Sequence, residues 1–472
     1  MTIDSIRLAT DTENLWDKDI LPALSEYIKI PNLSIDFDPD WATHGHMQKA
    51  QQLALNWLKQ HGKNDWKIHD KTLAGRTPLL LIEIPGNSEQ TILMYGHLDK
   101  QPEMEGWQED LGPWKPVIKD NKLYGRGAAD DGYALFAAVA AIKALQAQAQ
   151  PHGRIVILIE FSEESGSPDL LPYIEEYQDI IGTPDLIVAL DSGAGDYLRL
   201  WSTTSLRGML SCTLKVQVLT EATHSGVASG IIPSSMRIMR QLLDRLEDPN
   251  TGDIRLTELN TDIPLQRQQQ AEVAAEILGD SILNAFGTTP NLKGVNNKPA
   301  ELLLNSTWRP TLSVTGQEGI PSLKNGGNVL RAYTTLKLSF RLPPNGDLEE
   351  AKDAIRKTLL ADPPYNAEIS VEFDQGGNGW DAPPLAPWLA EATKEASEHY
   401  FGHDAAYLGL GGSIPFMSML GKRYPQAQFL ITGVLGPKSN AHGPNEFLHI
   451  PYAKKITACV AHIVGRHFGS RD

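Results

Sequence analysis

The stretch Thr91-Ile92-Leu93-Met94-Tyr95-Gly96-His97-Leu98-Asp99 constrains this chain most. Its apolar run reads as a buried strand, and the glycine, histidine and aspartate fall where the strand leaves its sheet. His97 and Asp99 are two apart, so an extended backbone points both to one side. A neutral imidazole is a metal ligand, and a neighbouring carboxylate can fix its tautomer. The alternative is plain polar capping of a strand end.

The same pattern recurs. Residues 78–84 read as a strand, followed by a Pro-Gly-Asn turn and the His97 strand. Residues 154–161 form another, ending in Ser162-Glu163-Glu164-Ser165-Gly166-Ser167, and 185–190 a third, ending in Asp191-Ser192-Gly193. Amphipathic helices fit 13–29 and 46–61, and an alanine-rich helix fits 133–147 after Asp130-Asp131-Gly132. Strands alternating with helices predict an α/β layer with a mostly parallel sheet between helices, and ligands gather outside the carboxyl ends of such strands.

After about residue 208 the pattern changes. Strands are expected at 209–219, 311–317, 333–342 and 368–374, with helices at 233–247 and 348–360. This is the β-α-β-β-α-β order of a ferredoxin-like α+β sandwich. Residues 248–305 show no clear pattern. The α/β character returns with a helix at 385–400, a glycine-rich turn at 409–412, a strand at 428–434 and a helix at 451–467. A discontinuous domain over 1–207 and 384–472 is therefore expected, with a smaller one inserted over 208–383. A length of 472 residues exceeds what one core accommodates.

Composition excludes some functions. The net charge of −16 and the lack of a Lys/Arg-rich run argue against a nucleic-acid surface. No apolar run approaches membrane-spanning length, and the first residues lack the basic and apolar parts of a signal peptide. Two cysteines, Cys212 and Cys459, exclude a disulfide framework and favour a reducing compartment. A cytoplasmic protein is expected.

The strand-end features are His97 with Asp99, Asp130 with Asp131, Glu163 with Glu164, Asp191, and His442 in Asn440-Ala441-His442-Gly443-Pro444-Asn445-Glu446. Each has a plainer reading. Asp130 and Asp131 could cap a helix, Glu163 and Glu164 could lie in a solvated loop, Asp191 could cap the turn at Gly193, and His442 could bond to backbone. Together they are the nitrogen and oxygen donors that borderline divalent metals take. Two metals about 3.5–4 Å apart need a bridging carboxylate and terminal ligands on each, and a further carboxylate can act as general base on a water between them.

These motifs resemble the di-zinc metallopeptidases that include carboxypeptidase G, aminoacylase, acetylornithine deacetylase and the carnosinase-type dipeptidases. The matching pieces are Gly96-His97-Leu98-Asp99, Gly125-Arg126-Gly127-Ala128-Ala129-Asp130-Asp131-Gly132, Glu163-Glu164-Ser165-Gly166-Ser167, Asp191 and His442-Gly443-Pro444-Asn445-Glu446. The resemblance implies a catalytic domain carrying an inserted lid or dimerisation domain, and two divalent ions, zinc first, with manganese or cobalt as alternatives. It assigns His97, Asp130 and Asp191 to one metal and Asp130, Glu164 and His442 to the other, with Asp130 bridging. Asp99 would orient His97. Glu163 would take a proton from the bridging water and deliver it to the leaving amine.

Within that family the chain looks most like the carnosinase-type dipeptidases, on Thr223-His224-Ser225-Gly226 with Ile232-Pro233, Ser339-Phe340-Arg341-Leu342-Pro343-Pro344-Asn345, and Gly411-Gly412-Ser413-Ile414-Pro415. By that likeness His224 would serve the partner subunit's site in a homodimer and stabilise the oxyanion. Arg341 would grip the substrate's terminal carboxylate, and Ser413 would add a hydrogen bond. Two departures touch substrate contacts. Asn328 stands where these dipeptidases often carry threonine, and no histidine lies near Gly379-Trp380-Asp381. The function implied is hydrolysis of dipeptides or short peptides with a free C-terminal carboxylate. An N-acyl amino-acid deacylase or desuccinylase with the same metals is the alternative, and a non-catalytic binding protein on the same scaffold is a third.

Overall fold

The structure is a computed structural model describing residues 3–374, 376–412 and 414–470. The chain divides into two compact units. The larger comprises Met1–Thr203, Ala382–Tyr407 and Met419–Asp472, and the smaller Thr204–Asp381 with Leu408–Ser418. No helix among the described residues is long and apolar enough to cross a membrane.

The larger unit is built on a six-stranded sheet. In spatial order its strands are Lys67–Lys71, Leu79–Ile84, Arg154–Glu160, Thr91–His97, Leu186–Ala189 and Gln428–Ile431. The last four run parallel, and the first two join antiparallel at one edge. The His97 strand is buried along its whole length between two parallel neighbours. This accounts for its continuous apolar run, since both faces of a parallel sheet are covered.

One cover is the helix Ala134–Ala147, apolar on every side and buried over nearly its whole length. Outside it lie the first and last helices of the chain, tied by a hydrogen bond of 2.8 Å from Trp16 Nε1 to Thr457 Oγ1. The first helical stretch begins earlier than the apolar spacing indicates. Asp4 accepts a hydrogen bond from Arg7 N and caps a helix from Ser5. Helical turns then continue to Ile28.

The smaller unit holds a four-stranded antiparallel sheet in the order Thr311–Glu318, Tyr333–Leu342, Gly208–Gln217, Glu368–Phe373. The helices Ser235–Leu246 and Leu348–Leu360 pack on one face of it, as a ferredoxin-like sandwich requires. Along Gly208–Gln217 buried and half-buried residues alternate, and the buried set (Leu210, Cys212, Leu214, Val216) meets Ile238, Met239 and Ile355. Full burial of each such aliphatic side chain contributes about 1.5–3 kcal/mol.

Segment 248–305, unpatterned in the sequence, contains the helices Leu265–Leu278 and Pro299–Thr307. The first has no continuous apolar stripe. It is anchored by Arg267, which is buried and reaches Asp381 Oδ1 at 2.8 Å and Gln270 Oε1 at 2.9 Å. Both cysteines are free and buried.

Candidate metal centre

The site is assembled at the carboxyl ends of the parallel strands. His97 closes its strand; Leu98 N still donates to Glu160 O at 2.9 Å before the chain turns out of the sheet. Gly96 is required there. A Cβ on it would stand 2.5 Å from Ala134 Cβ and 2.9 Å from Asp131 Oδ2, so the buried helix approaches the strand only because the side chain is missing. Asp191 follows the strand Leu186–Ala189, and Glu163 and Glu164 open a single helical turn after Arg154–Glu160.

Asp130 and Asp131 do not cap the helix that follows. That helix begins at Ala134 with no side-chain cap. Asp130 instead faces both histidines: its Oδ1 lies 3.4 Å from His97 Nε2 and its Oδ2 3.0 Å from His442 Nε2. His97 Nε2 is also 3.9 Å from Asp191 Oδ2, and His442 Nε2 is 3.2 Å from Glu164 Oε2. Two donor groups result, His97 with Asp130 and Asp191, and Asp130 with Glu164 and His442. In each, the ligand atoms lie within 4.8 Å of one another.

These residues fit a pair of divalent cations. His97 is fully buried; Nδ1 faces Asp99, while Nε2 makes no aligned hydrogen bond and lies 3.4 Å from Asp130 Oδ1 and 3.9 Å from Asp191 Oδ2. An imidazole nitrogen left without a partner among carboxylate oxygens is costly, and a cation there would satisfy it. The nitrogen and oxygen donor set suits zinc, manganese or cobalt.

Protonation follows the crowding of charge. Burial opposes the charge on His442, but Asp130 and Glu164 outweigh it and push its pKa up to about 11. His97 is raised for the same reason, burial being overcome by Asp130 and Asp99. Burial also acts to raise Asp130, yet the two histidines pull its carboxyl below the usual range. Asp191 has no such close partner, and burial pushes it up to about 7. Glu163 is raised well above its ordinary value by burial and then by the charge of Asp191.

Of the supporting residues, Asp99 is expected from the sequence to orient His97, and the others have no role assigned from it. Asp99 sits 3.2 Å from His97 Nδ1 and also accepts hydrogen bonds from Glu163 N at 3.1 Å and Glu164 N at 2.9 Å. Arg126 and Glu446 form a buried ion pair at 2.6 Å, and Glu446 also accepts from Gly127 N at 3.0 Å. Arg126 Nη2 donates to Gly443 O at 2.9 Å, beside His442. Glu160 accepts from Tyr95 OH at 2.6 Å and from Ser167 Oγ at 2.8 Å, holding both ends of the Glu163 loop. Arg126 and Glu446 lie inside quoted motifs, but burial is what gives them a role.

The remaining candidates belong to the smaller unit. His224 is exposed in a two-stranded pairing of Thr223–His224 with Val329–Leu330. Its Nδ1 accepts from Gly226 N at 3.1 Å, so the neutral ring carries its proton on Nε2. Asn328 is exposed, and its carbonyl accepts from Ser225 N at 3.0 Å. Arg341 is half-buried in the strand Tyr333–Leu342, where desolvation lowers its pKa. Ser413 lies outside the described residues.

Comparisons with known proteins find relatives over most of the chain. A cysteinylglycine-S-conjugate dipeptidase of Corynebacterium striatum is 26% identical over 387 residues, covering 79% of this chain and 81% of the relative. The Cys-Gly metallodipeptidase DUG1 of Saccharomyces cerevisiae is 27% identical, covering 83% of this chain and 84% of its own. The Beta-Ala-His dipeptidase of Homo sapiens is 26% identical, covering 72% and 68%. The solved structure of the dipeptidase Dug1p from Saccharomyces cerevisiae superposes with a TM-score of 0.77 at 23% identity over 100% of both chains. Human carnosine dipeptidase 1 gives 0.75 at 21% identity over 98% and 99%. These two establish the fold. The model of peptidase family M20/M25/M40 matches residues 93–466, a span that runs from the His97 strand to the last helix, and the chain belongs to that family.

Proposed function

We propose that this chain is a metal-dependent dipeptidase that hydrolyses the amide bond of dipeptides or short peptides with a free C-terminal carboxylate. The observation that carries it is the pair of three-donor groups sharing Asp130, with the half-buried Glu163 under the charge of Asp191 beside them. The names of the relatives support a dipeptidase over an N-acyl amino-acid deacylase.

His97, Asp130 and Asp191 would hold one cation, and Asp130, Glu164 and His442 the other, zinc being the first expectation. When bound, such cations polarise a scissile carbonyl and lower the pKa of an attacking water. Glu163 accepts the proton of that water at its carboxylate and passes it to the leaving amine, a task suited to a carboxyl whose pKa is raised. Asp99 holds His97 and fixes the Glu163–Glu164 backbone. Arg341 takes the terminal carboxylate through its planar fork. Asn328 and Ser413 are substrate contacts by family resemblance. His224, with its proton on Nε2, donates to the developing oxyanion across a homodimer. Two free cysteines support a cytoplasmic setting.

The test is hydrolysis of a dipeptide library by metal-loaded protein with a chelated control. Metal-dependent cleavage of unblocked dipeptides is expected. Cleavage of acetylated or succinylated amino acids alone would move the assignment to a deacylase, and no cleavage of either class with metals bound would reject catalysis. Light scattering reads the dimer; a fully active monomer would overturn the role of His224.

A further inference from the structure

Arg207 is a buried arginine that none of the roles above uses. It stands one residue before the strand Gly208–Gln217. Its guanidinium gathers separate pieces of the smaller unit. Nε donates to Gly411 O at 3.3 Å, and Nη1 to Asn305 O at 3.3 Å, Arg309 O at 3.2 Å and Thr311 Oγ1 at 3.3 Å. Asn305 lies in the last turn of the helix Pro299–Thr307, where free carbonyls favour a cation, and Arg309 follows two residues past its end. The glycine turn is pressed onto that helix end. A Cβ at Gly411 would stand 2.6 Å from Ser306 O, and one at Gly409 3.0 Å from Thr307 Cβ.

The same guanidinium reaches the strand Thr311–Glu318, the neighbour of the strand that carries Arg341. Thr311, which it contacts, is the cross-strand partner of Arg341, and Arg341 pairs on its other side with Met209, two residues after Arg207. Two arginines thus converge at one end of the four-stranded sheet. Burial, then the charge of Arg341, lowers the pKa of Arg207 to about 10, so it keeps its charge at neutral pH. A buried and a half-buried guanidinium at the same end of a sheet favour an anion bound beside them.

We infer that Arg207 is a positioning residue for the anionic end of the substrate: it locks the glycine turn Gly409–Gly412 to the end of the helix Pro299–Thr307 and sets a second positive charge beside Arg341. The inference rests on the dipeptidase reading and on Arg341 as the carboxylate anchor. It also gives the inserted segment 248–305 a task, since its last residue, Asn305, supplies one of the carbonyls that Arg207 holds.

The experiment compares one dipeptide as free acid and as C-terminal amide, with metal-loaded full-length protein. The readout is the ratio of kcat/KM values, acid over amide, which general loss of stability does not move. Arg207→Met is expected to lower that ratio about tenfold, chiefly through KM for the acid, the scale of one lost charge contact. Arg207→Lys keeps the charge without the fork. It is expected to keep the ratio within about threefold of wild type while KM rises for both substrates. Should the methionine variant not fold, Arg207→Gln is read against the same expectation. An unchanged ratio in the folded uncharged variant, or an equal loss in Arg207→Lys, overturns the inference. A wild type that cleaves neither acid nor amide overturns the dipeptidase reading itself, and one that cleaves both equally overturns the carboxylate preference on which Arg207 depends.

Discussion

Asp99 Oδ1 lies 3.2 Å from His97 Nδ1, and the same carboxylate holds the backbone N–H groups of Glu163 and Glu164. One side chain therefore sets both the ring of a candidate ligand and the turn that carries a candidate ligand and the candidate base. Loss of an outer carboxylate on a ligating histidine costs roughly 10–100-fold in metal affinity or activity. Asp99→Asn keeps the shape and removes the charge. It is expected to weaken metal binding and lower kcat together, as read by metal titration and steady-state kinetics; unchanged values in both would remove Asp99 from the site.

Glu163 is close to the donor groups but belongs to neither. Glu163→Gln should leave metal content at the wild-type value and reduce kcat by roughly 10²–10⁴-fold, the span of general acid–base catalysis. Elemental analysis of the purified variant beside its turnover number decides it. Loss of metal with loss of turnover would instead make Glu163 a ligand.

Arg126 and Glu446 tie the loop before Asp130 to the loop of His442 through a pair that solvent does not reach. Removing one partner of a buried pair typically costs about 3–5 kcal/mol, because the other charge stays buried. Arg126→Met is expected to lower Tm by roughly 3–8 °C and to weaken metal binding. The double variant with Glu446→Leu should recover part of the stability, and thermal unfolding of the three variants measures it.

Metal uptake should release protons. Asp130 and Glu164 push His442 up to about 11 and burial pushes Asp191 up to about 7, both above their ordinary values, so each holds a proton at neutral pH more often than it would free in water. A cation must displace those protons, and its apparent affinity therefore rises with pH. Calorimetric titration in buffers of different ionisation enthalpy should show net proton release near pH 7; uptake or no exchange would contradict the charge pattern.

Gly96→Ala tests the approach of the buried helix to the His97 strand. The added methyl meets Ala134 Cβ and Asp131 Oδ2, and overpacking of this kind costs about 1–3 kcal/mol. Denaturant unfolding should show that loss, with weaker metal binding because Asp131 must move.

Much of the architecture was legible because burial leaves a periodic trace. The helices His46–His61 and Leu348–Leu360 and the strand Tyr333–Leu342 stand where the apolar spacing puts them. Elements without that trace were not legible. Lys67–Lys71 is a polar edge strand, and Leu265–Leu278 is a helix held by the Arg267–Asp381 pair in place of an apolar face.

The sequence by itself determined the candidate donors, their order along the chain, and the strand ends that carry them, because residue chemistry and hydrophobic period are local properties. Only the tertiary structure decided that Asp130 stands between His97 and His442, that Asp99 serves both a histidine and the glutamate turn, and that Arg126, Glu446 and Arg207 are buried. These relationships join residues as far as 320 positions apart. Distance in space and withdrawal from water depend on how strands and helices stack, which no local pattern of residues encodes.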